Sequence, residues 1–153
     1  MENVILTNMC MVYDNNGNVL VQKRKDTDRW PGIAFPGGHI EDSEPFTNAV
    51  IREVFEETGI KIKHPKLCGT KQWQTERQGV MARYIVFLYK TNEFEGEVQS
   101  SSEGEAFWVK RSELENMPLA NTFEHMLKIF EDDSLEELFS YKENGNWKFE
   151  FLG

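Results

Sequence analysis

Gly38-His39-Ile40-Glu41-Asp42-Ser43-Glu44-Pro45-Phe46-Thr47-Asn48-Ala49-Val50-Ile51-Arg52-Glu53-Val54-Phe55-Glu56-Glu57-Thr58-Gly59-Ile60 is the stretch around which the rest of the chain is read. The glycine pair Gly37-Gly38 leads into it. A helix is predicted to start near Ser43 to Pro45, since proline is tolerated in a first turn, where its missing N–H breaks no bond. Phe46, Val50 and Val54 recur every four residues and predict a buried stripe. Gly59 predicts a C-terminal cap. Glu53, Glu56 and Glu57 stand at i, i+3 and i+4, so they share one helix face. Three carboxylates on one face repel one another, and the helix alone gains nothing from them. A hard divalent cation with a preference for oxygen ligands, such as Mg²⁺, removes the conflict. The substrate expected from that chemistry is a phosphate ester or anhydride that shares the metal. Taken alone, Glu56-Glu57 reads as a solvated acidic face.

The same residues resemble the Nudix box, in which a glycine is followed after five residues by Glu, and after seven more by Arg-Glu-apolar-x-Glu-Glu-x-Gly-apolar. Gly38, Glu44, Arg52, Glu53, Val54, Glu56, Glu57, Gly59 and Ile60 occupy those positions without a departure. The resemblance implies a mixed β-sheet between α-helices, an α/β or α+β class, with the box as loop, helix and loop. It extends to about residue 132, and a single domain over 1–153 is expected. It also implies that Glu56 and Glu57 hold metal and that Glu53 is a ligand, a base, or both. The Gly37-Gly38 backbone, with Gly38 as a ligand, is expected close to the metal, since glycine permits backbone shapes that other residues resist. Arg52 is expected to hold a glutamate in one rotamer, and Glu44 to be structural or an outer metal contact.

Outside the box, Glu105-Ala106-Phe107-Trp108 resembles a Glu-x-x-Trp stretch of many Nudix proteins, so Glu105 is the expected additional carboxylate, with Glu103 the rival. Lys23 and Arg24 end a strand, alternation sends them to opposite faces, and Arg24 is the one expected to meet phosphates. His39 is a further phosphate candidate, although MutT-type enzymes often carry lysine there. Trp30, Phe35 and Trp73 can stack on a base, but most aromatics in a domain of this size are core. Pro118-Leu119-Ala120-Asn121 resembles the Pro-x-Ala-Asn that opens the last helix of bacterial MutT enzymes, where the asparagine amide reads an oxidised guanine. Asn121 either does the same, since an amide both donates and accepts, or simply caps the helix.

At 153 residues, 39% hydrophobic and 28% charged, the chain has the size and composition of one globular domain. The formal net charge of -9 disfavours duplex nucleic acid, which needs a basic face, but leaves nucleotides open, because a bound metal supplies local positive charge. Cys10 and Cys68 are far apart in apolar segments and read as reduced thiols, with one disulfide the alternative. No run reaches membrane-spanning length and no signal-peptide pattern opens the chain, so a cytoplasmic enzyme, monomer or homodimer, is expected.

Along the chain, 4–13 and 19–24 read as a hairpin around Asp14-Asn15-Asn16-Gly17-Asn18. Further strands are expected in 60–73, broken at Pro65 and near Gly69, and in 80–89 and 106–109. A polar turn is expected over 74–79, a surface loop with weak edge pairing over 91–105 and a short helix over 111–116. A final helix is expected to end near Asp132, and Asn144-Gly145 predicts a C-terminal hairpin. The expected function is a Mg²⁺-dependent nucleoside triphosphate pyrophosphohydrolase, with Mn²⁺ able to substitute, acting on 8-oxo-dGTP in a sanitising, DNA-repair role. The alternatives are a Nudix hydrolase of another nucleoside diphosphate derivative (nucleotide sugar, dinucleoside polyphosphate, RNA 5′ end) and a non-catalytic nucleotide sensor.

Overall fold

The computed structural model describes residues 2–25 and 31–153. In chain order the elements are β1 (Asn3–Val12), β2 (Asn18–Arg24), β3 (Gly32–Ala34), α1 (Phe46–Thr58), β4 (Lys61–Lys63), β5 (Lys66–Arg77), β6 (Val80–Thr91), β7 (Glu93–Glu95), β8 (Gly104–Lys110), a 3-10 turn (Arg111–Asn116), α2 (Phe123–Glu131), β9 (Glu137–Glu143) and β10 (Asn146–Leu152). A five-stranded mixed sheet runs β1-β6-β5-β9-β10, and a three-stranded sheet runs β3-β2-β8. β4 and β7 form a separate antiparallel pair.

Alternation along β1 and β2 feeds two cores. Met9, Val19 and Val21 join α2 residues Phe123, Met126, Leu127 and Phe130. Cys10, Val12 and Leu20 join Val50 and Val54 of α1. Val50 and Val54 are fully buried, worth roughly 1.5–3 kcal/mol each. This two-sided burial is why β1 and β2 are not the expected hairpin. β1 pairs in parallel with β6, β2 pairs with β3 and β8, and the two meet at the turn through a Tyr13–Val19 bridge and the Asp14 N–H to Asn18 carbonyl bond. The turn itself forms as expected, with Asp14 Oδ1 accepting from the amides of Asn16 and Asn18, both at 2.9 Å.

Other boundaries shift for local reasons. Phe46 is 43% exposed; it lies in the first turn of α1, beyond the core, and rests on Phe87 with centroids 4.5 Å apart. The polar 74–77 segment is strand rather than turn: β5 and β6 pair out to Arg77↔Val80, leaving Gln78-Gly79 as a two-residue turn with positive φ at both positions. A register shift falls between Leu67 and Gly69. The 91–105 segment contains β7 and the start of β8. Gly59 caps α1 at φ 79, its N–H donating to the Phe55 carbonyl. Asn144-Gly145 turns β9 into β10, and β9 adds in parallel to β5 over Thr70–Trp73. The C-terminal hairpin therefore widens the main sheet. Both cysteines are free thiols, and burial pushes each above its ordinary pKa. No helix among the described residues is long and apolar enough to cross a membrane.

Candidate active site

The glycine loop lies along the outer edge of β1. Cys10 N–H donates to the Pro36 carbonyl at 2.9 Å, Asn8 N–H to the Gly38 carbonyl at 2.8 Å, and Ile40 N–H to the Leu6 carbonyl at 3.0 Å. The Asn8 side-chain oxygen accepts from Gly38 N–H at 3.0 Å. This docking leaves no room for side chains: a Cβ at Gly37 would collide with the Asn8 carbonyl, and one at Gly38 with the Glu53 carboxylate. The glycine pair is therefore what lets backbone and carboxylates meet.

Arg52 organises the helix carboxylates. Its Nε and Nη2 grip Glu44 at 2.7 and 3.0 Å in a two-pronged bond. Nη2 also donates to the His39 carbonyl at 3.0 Å. Nη1 donates to Glu53 at 2.9 Å and to Glu56 at 3.2 Å. The hydrogen bond from Arg52 holds Glu44 below its ordinary pKa. Glu53 is instead raised by burial, against the pull of Arg52. Glu57 is 6% exposed. Its Oε2 accepts from Gly37 N–H at 3.3 Å. Burial pushes Glu57 up to about 8, Arg24 and the Gly37 N–H pull the other way, and Glu53 and Glu103 add to the rise. A carboxylate so poorly compensated is poised for an added positive charge.

Glu53 and Glu57 open into a cleft of ≈ 660 Å³. Arg24, His39, Gly37, Gly38, Asn121 and Glu103 also line it. Glu105, expected as the additional carboxylate, does not. β8 starts at Gly104, so alternation turns Glu105 to the exposed outer face, opposite Lys23 across the β2–β8 ladder. The rival Glu103, in the turn before β8, faces the cleft instead. Glu56 is not among the residues lining the cleft; it is bonded to Arg52, with its side chain 56% exposed.

Of the aromatic candidates, Phe35 is core, packed edge-on against Phe123 and Phe130 at 4.8 and 5.1 Å. Trp73 lines the cleft and stacks on Tyr84 at 4.9 Å. Trp30 lies outside the described residues. Asn121 is exposed to the cleft, and its amide has no partner among the described residues. Thr122, at the N-cap with φ 69, makes no side-chain cap bond either. The helix-cap alternative for Asn121 therefore has no bond behind it. Asn8, Gln22, Lys71, Ser140, Trp147 and Phe149 line the cleft without having been singled out from the sequence. Period-two spacing puts Lys71 beside Trp73 on one strand face, but a lysine amid polar residues reads as surface.

The NUDIX domain model matches residues 6–132. The chain belongs to the Nudix family. It is 32% identical over 120 residues to the uncharacterized Nudix hydrolase YvcI of Bacillus subtilis, covering 77% of this chain and 73% of that one. It is 30% identical over 104 residues to the 8-oxo-dGTP diphosphatase of Haemophilus influenzae, covering 67% and 74%. The crystal structure of the mutator MutT protein from Bacillus halodurans superposes with a TM-score of 0.77 at 27% identity, covering 96% of this chain and 97% of that one. The chain is thus a Nudix hydrolase, acting on phosphoanhydride bonds of nucleotide derivatives.

Nudix hydrolases generally use divalent cations. Among the described residues, no group of three or more His, Cys, Asp or Glu converges closely enough to enclose one. The donors nonetheless fit Mg²⁺, which keeps several waters and takes one or two carboxylates together with substrate phosphates. The all-oxygen donor set and the undercompensated Glu57 are what such an ion requires.

Arg52 reaches the cleft only through the groups it holds. Arg52→Ala is expected to lower kcat by about tenfold or more, the cost of loosening a ligand's supporting contact, while KM changes little. Arg52→Lys, with one charge and no fork, should recover only part of the loss. Steady-state kinetics on a nucleotide substrate check this, and unchanged kcat with a raised KM would move Arg52 to the substrate.

Proposed function

We propose that the chain hydrolyses nucleoside triphosphates to a nucleoside monophosphate and pyrophosphate, with 8-oxo-dGTP as its preferred substrate. The observation that carries this reading is the cleft itself. At one end it holds buried Glu57 beside Arg24, and in the same space it exposes the unpartnered Asn121 amide. The likeness to the Haemophilus influenzae diphosphatase over the domain supports the choice of nucleotide.

Glu53, Glu57 and Glu56 would hold Mg²⁺ or Mn²⁺, with the free lone pair of the Gly38 carbonyl as a further ligand and Glu103 nearby. The bound ion supplies positive charge to the phosphates and acidifies a water. Arg24 meets the phosphate chain, and His39 flanks it. Glu53, when not itself a ligand, accepts the proton of the attacking water. Oxygen from that water bonds to phosphorus, the anhydride P–O bond breaks, and pyrophosphate leaves. Arg52 keeps Glu53 in place.

The test is hydrolysis of 8-oxo-dGTP and dGTP with Mg²⁺ and with excess chelator, products being identified by mass. Metal-dependent release of pyrophosphate and a higher kcat/KM for 8-oxo-dGTP are expected. Asn121→Ala should erode that preference by about 1–3 kcal/mol, the cost of leaving a buried partner unpaired, with little change in melting temperature. Equal efficiencies in the wild type would remove 8-oxo-dGTP as the substrate.

A further inference from the structure

Three buried side-chain atoms have no hydrogen-bond partner among the described residues: Asn8 Nδ2, Gln22 Nε2 and Ser140 Oγ. All three residues line the cleft. Buried polar groups rarely go unpaired, so such a cluster marks a place where a ligand completes the bonding. Asn8 belongs to the glycine-loop end. Ser140 belongs to the C-terminal hairpin, across the sheet, and there it accompanies Lys71.

The sheet explains how these residues meet. Trp73 pairs with Ser140, and Ser140 with Phe149. Two residues back along β5, Lys71 shares the face of Trp73. One face of β5, β9 and β10 thus presents Lys71, Trp73, Ser140, Trp147 and Phe149 to the cleft. β5 is two strands from β1 and β9 is three, roughly 10 and 14 Å at the usual strand spacing. A nucleoside with its phosphates bridges such a separation.

Lys71 is 7% exposed. Its Nζ donates to Thr122 Oγ1 at 2.6 Å and lies 5.0 Å from the Trp73 ring centroid. No carboxylate pairs with it among the described residues. Burial pulls it down to about 8. An ammonium has three donors and no acceptor, so the group that completes this end must accept. The aromatic walls fit a flat ring better than a phosphate. A purine with a 6-keto group offers acceptors along its O6/N7 edge, where lysine is a known partner. A 6-amino group would set donor against donor at position 6 and leave Lys71 only the N7 acceptor.

We infer that Lys71, with Ser140 beside it, forms a subsite for the 6-keto edge of a purine, and that the chain therefore selects 6-oxopurine over 6-aminopurine nucleotides. This rests on reading the cleft as a nucleotide site. The 6-keto group is common to guanine and 8-oxoguanine, so this selection is separate from the one assigned to Asn121. The C-terminal hairpin supplies part of the subsite.

dITP and dATP share sugar and phosphates, and their bases differ in carrying a 6-keto or a 6-amino group. The wild type is expected to show a kcat/KM for dITP about tenfold or more above that for dATP, the scale of a hydrogen bond to a charged group. Lys71→Met, of similar length and uncharged, should bring the ratio near one through a loss on dITP that exceeds any loss on dATP. A wild-type ratio near one overturns the inference without any variant, and so does a ratio that survives Lys71→Met in a protein of normal melting temperature. Calorimetric binding of IMP and AMP separates this inference from the hydrolytic reading. Lys71-dependent preference for IMP without hydrolysis of either triphosphate would keep the subsite and remove the reaction. Hydrolysis of both at equal efficiency would do the reverse.

Discussion

Glu57→Gln is expected to lower turnover by about two orders of magnitude or more, the scale of losing one essential charge-stabilising group, while leaving the fold intact. Glutamine keeps the shape and an oxygen for the Gly37 N–H, which now reaches Glu57 Oε2 at 3.3 Å. What it removes is the negative charge buried at the cleft. The same substitution should stabilise the metal-free protein near pH 8, because the buried charge is unfavourable there without its cation. Loss of activity with gained stability is a pairing that a merely structural residue would not produce. Steady-state kinetics, metal titration and thermal melts on one preparation test it. Near-wild-type turnover with normal metal affinity would count against Glu57 as a ligand.

The second large effect is the pH dependence of that stability. In the folded, metal-free chain Glu57 is pushed up to about 8, against 4.5 for the unperturbed side chain. Between those values the native state holds a proton that the unfolded state has released, so stability falls as pH rises. The contribution is complete below about pH 4.5 and lost as pH passes about 8. At roughly 1.4 kcal/mol per unit, its ceiling is about 5 kcal/mol, and relaxation around the charge will reduce it. Divalent cation should reverse the trend. Binding requires the ionised carboxylate, so Mg²⁺ should raise the melting temperature more at pH 8 than at pH 5.5 and release protons on binding at pH 7. Melts of wild type and Glu57→Gln across this range, with and without Mg²⁺, measure the effect. Coincident profiles for the two proteins would show that Glu57 does not carry it.

Local chemistry was legible wherever it is written in consecutive residues. Helix α1, its glycine cap and the Asn144-Gly145 hairpin all follow from propensities acting within a few residues, whereas the break expected near Gly69 is only a register shift within the continuous β5. The assembly around Arg52 was accessible only in part: i, i+4 spacing brings Arg52 to Glu56, whereas its bonds to Glu44 and the His39 carbonyl depend on how the loop docks. Reading Phe46 as core failed because a period says which face a residue shares, not where the neighbouring layer stops. Glu105, preferred over Glu103 from the sequence, turns away from the cleft for a similar reason: the choice depends on β8 starting at Gly104, and a one-residue change in a strand's start exchanges its faces.

By itself, then, the sequence determined the reaction class. The glycine pair and the helix glutamates are close along the chain, and their spacing leaves few alternatives. It also determined the fold class, through the order of apolar segments and the family pattern they share. Only the tertiary structure decided what else the cleft contains. Asn121 was marked by its own Pro-x-Ala-Asn stretch, but Lys71 and Ser140 come from β5 and β9, and nothing in their local sequence marks them as its neighbours. Pairing between β5 and β9 brings Lys71 and Ser140 onto one face, and the Lys71–Thr122 bond ties that face to the start of α2. Strand pairing across a sheet is a long-range choice, set by which faces must be buried together. It converts a lysine that reads as surface into a buried cation facing the cleft.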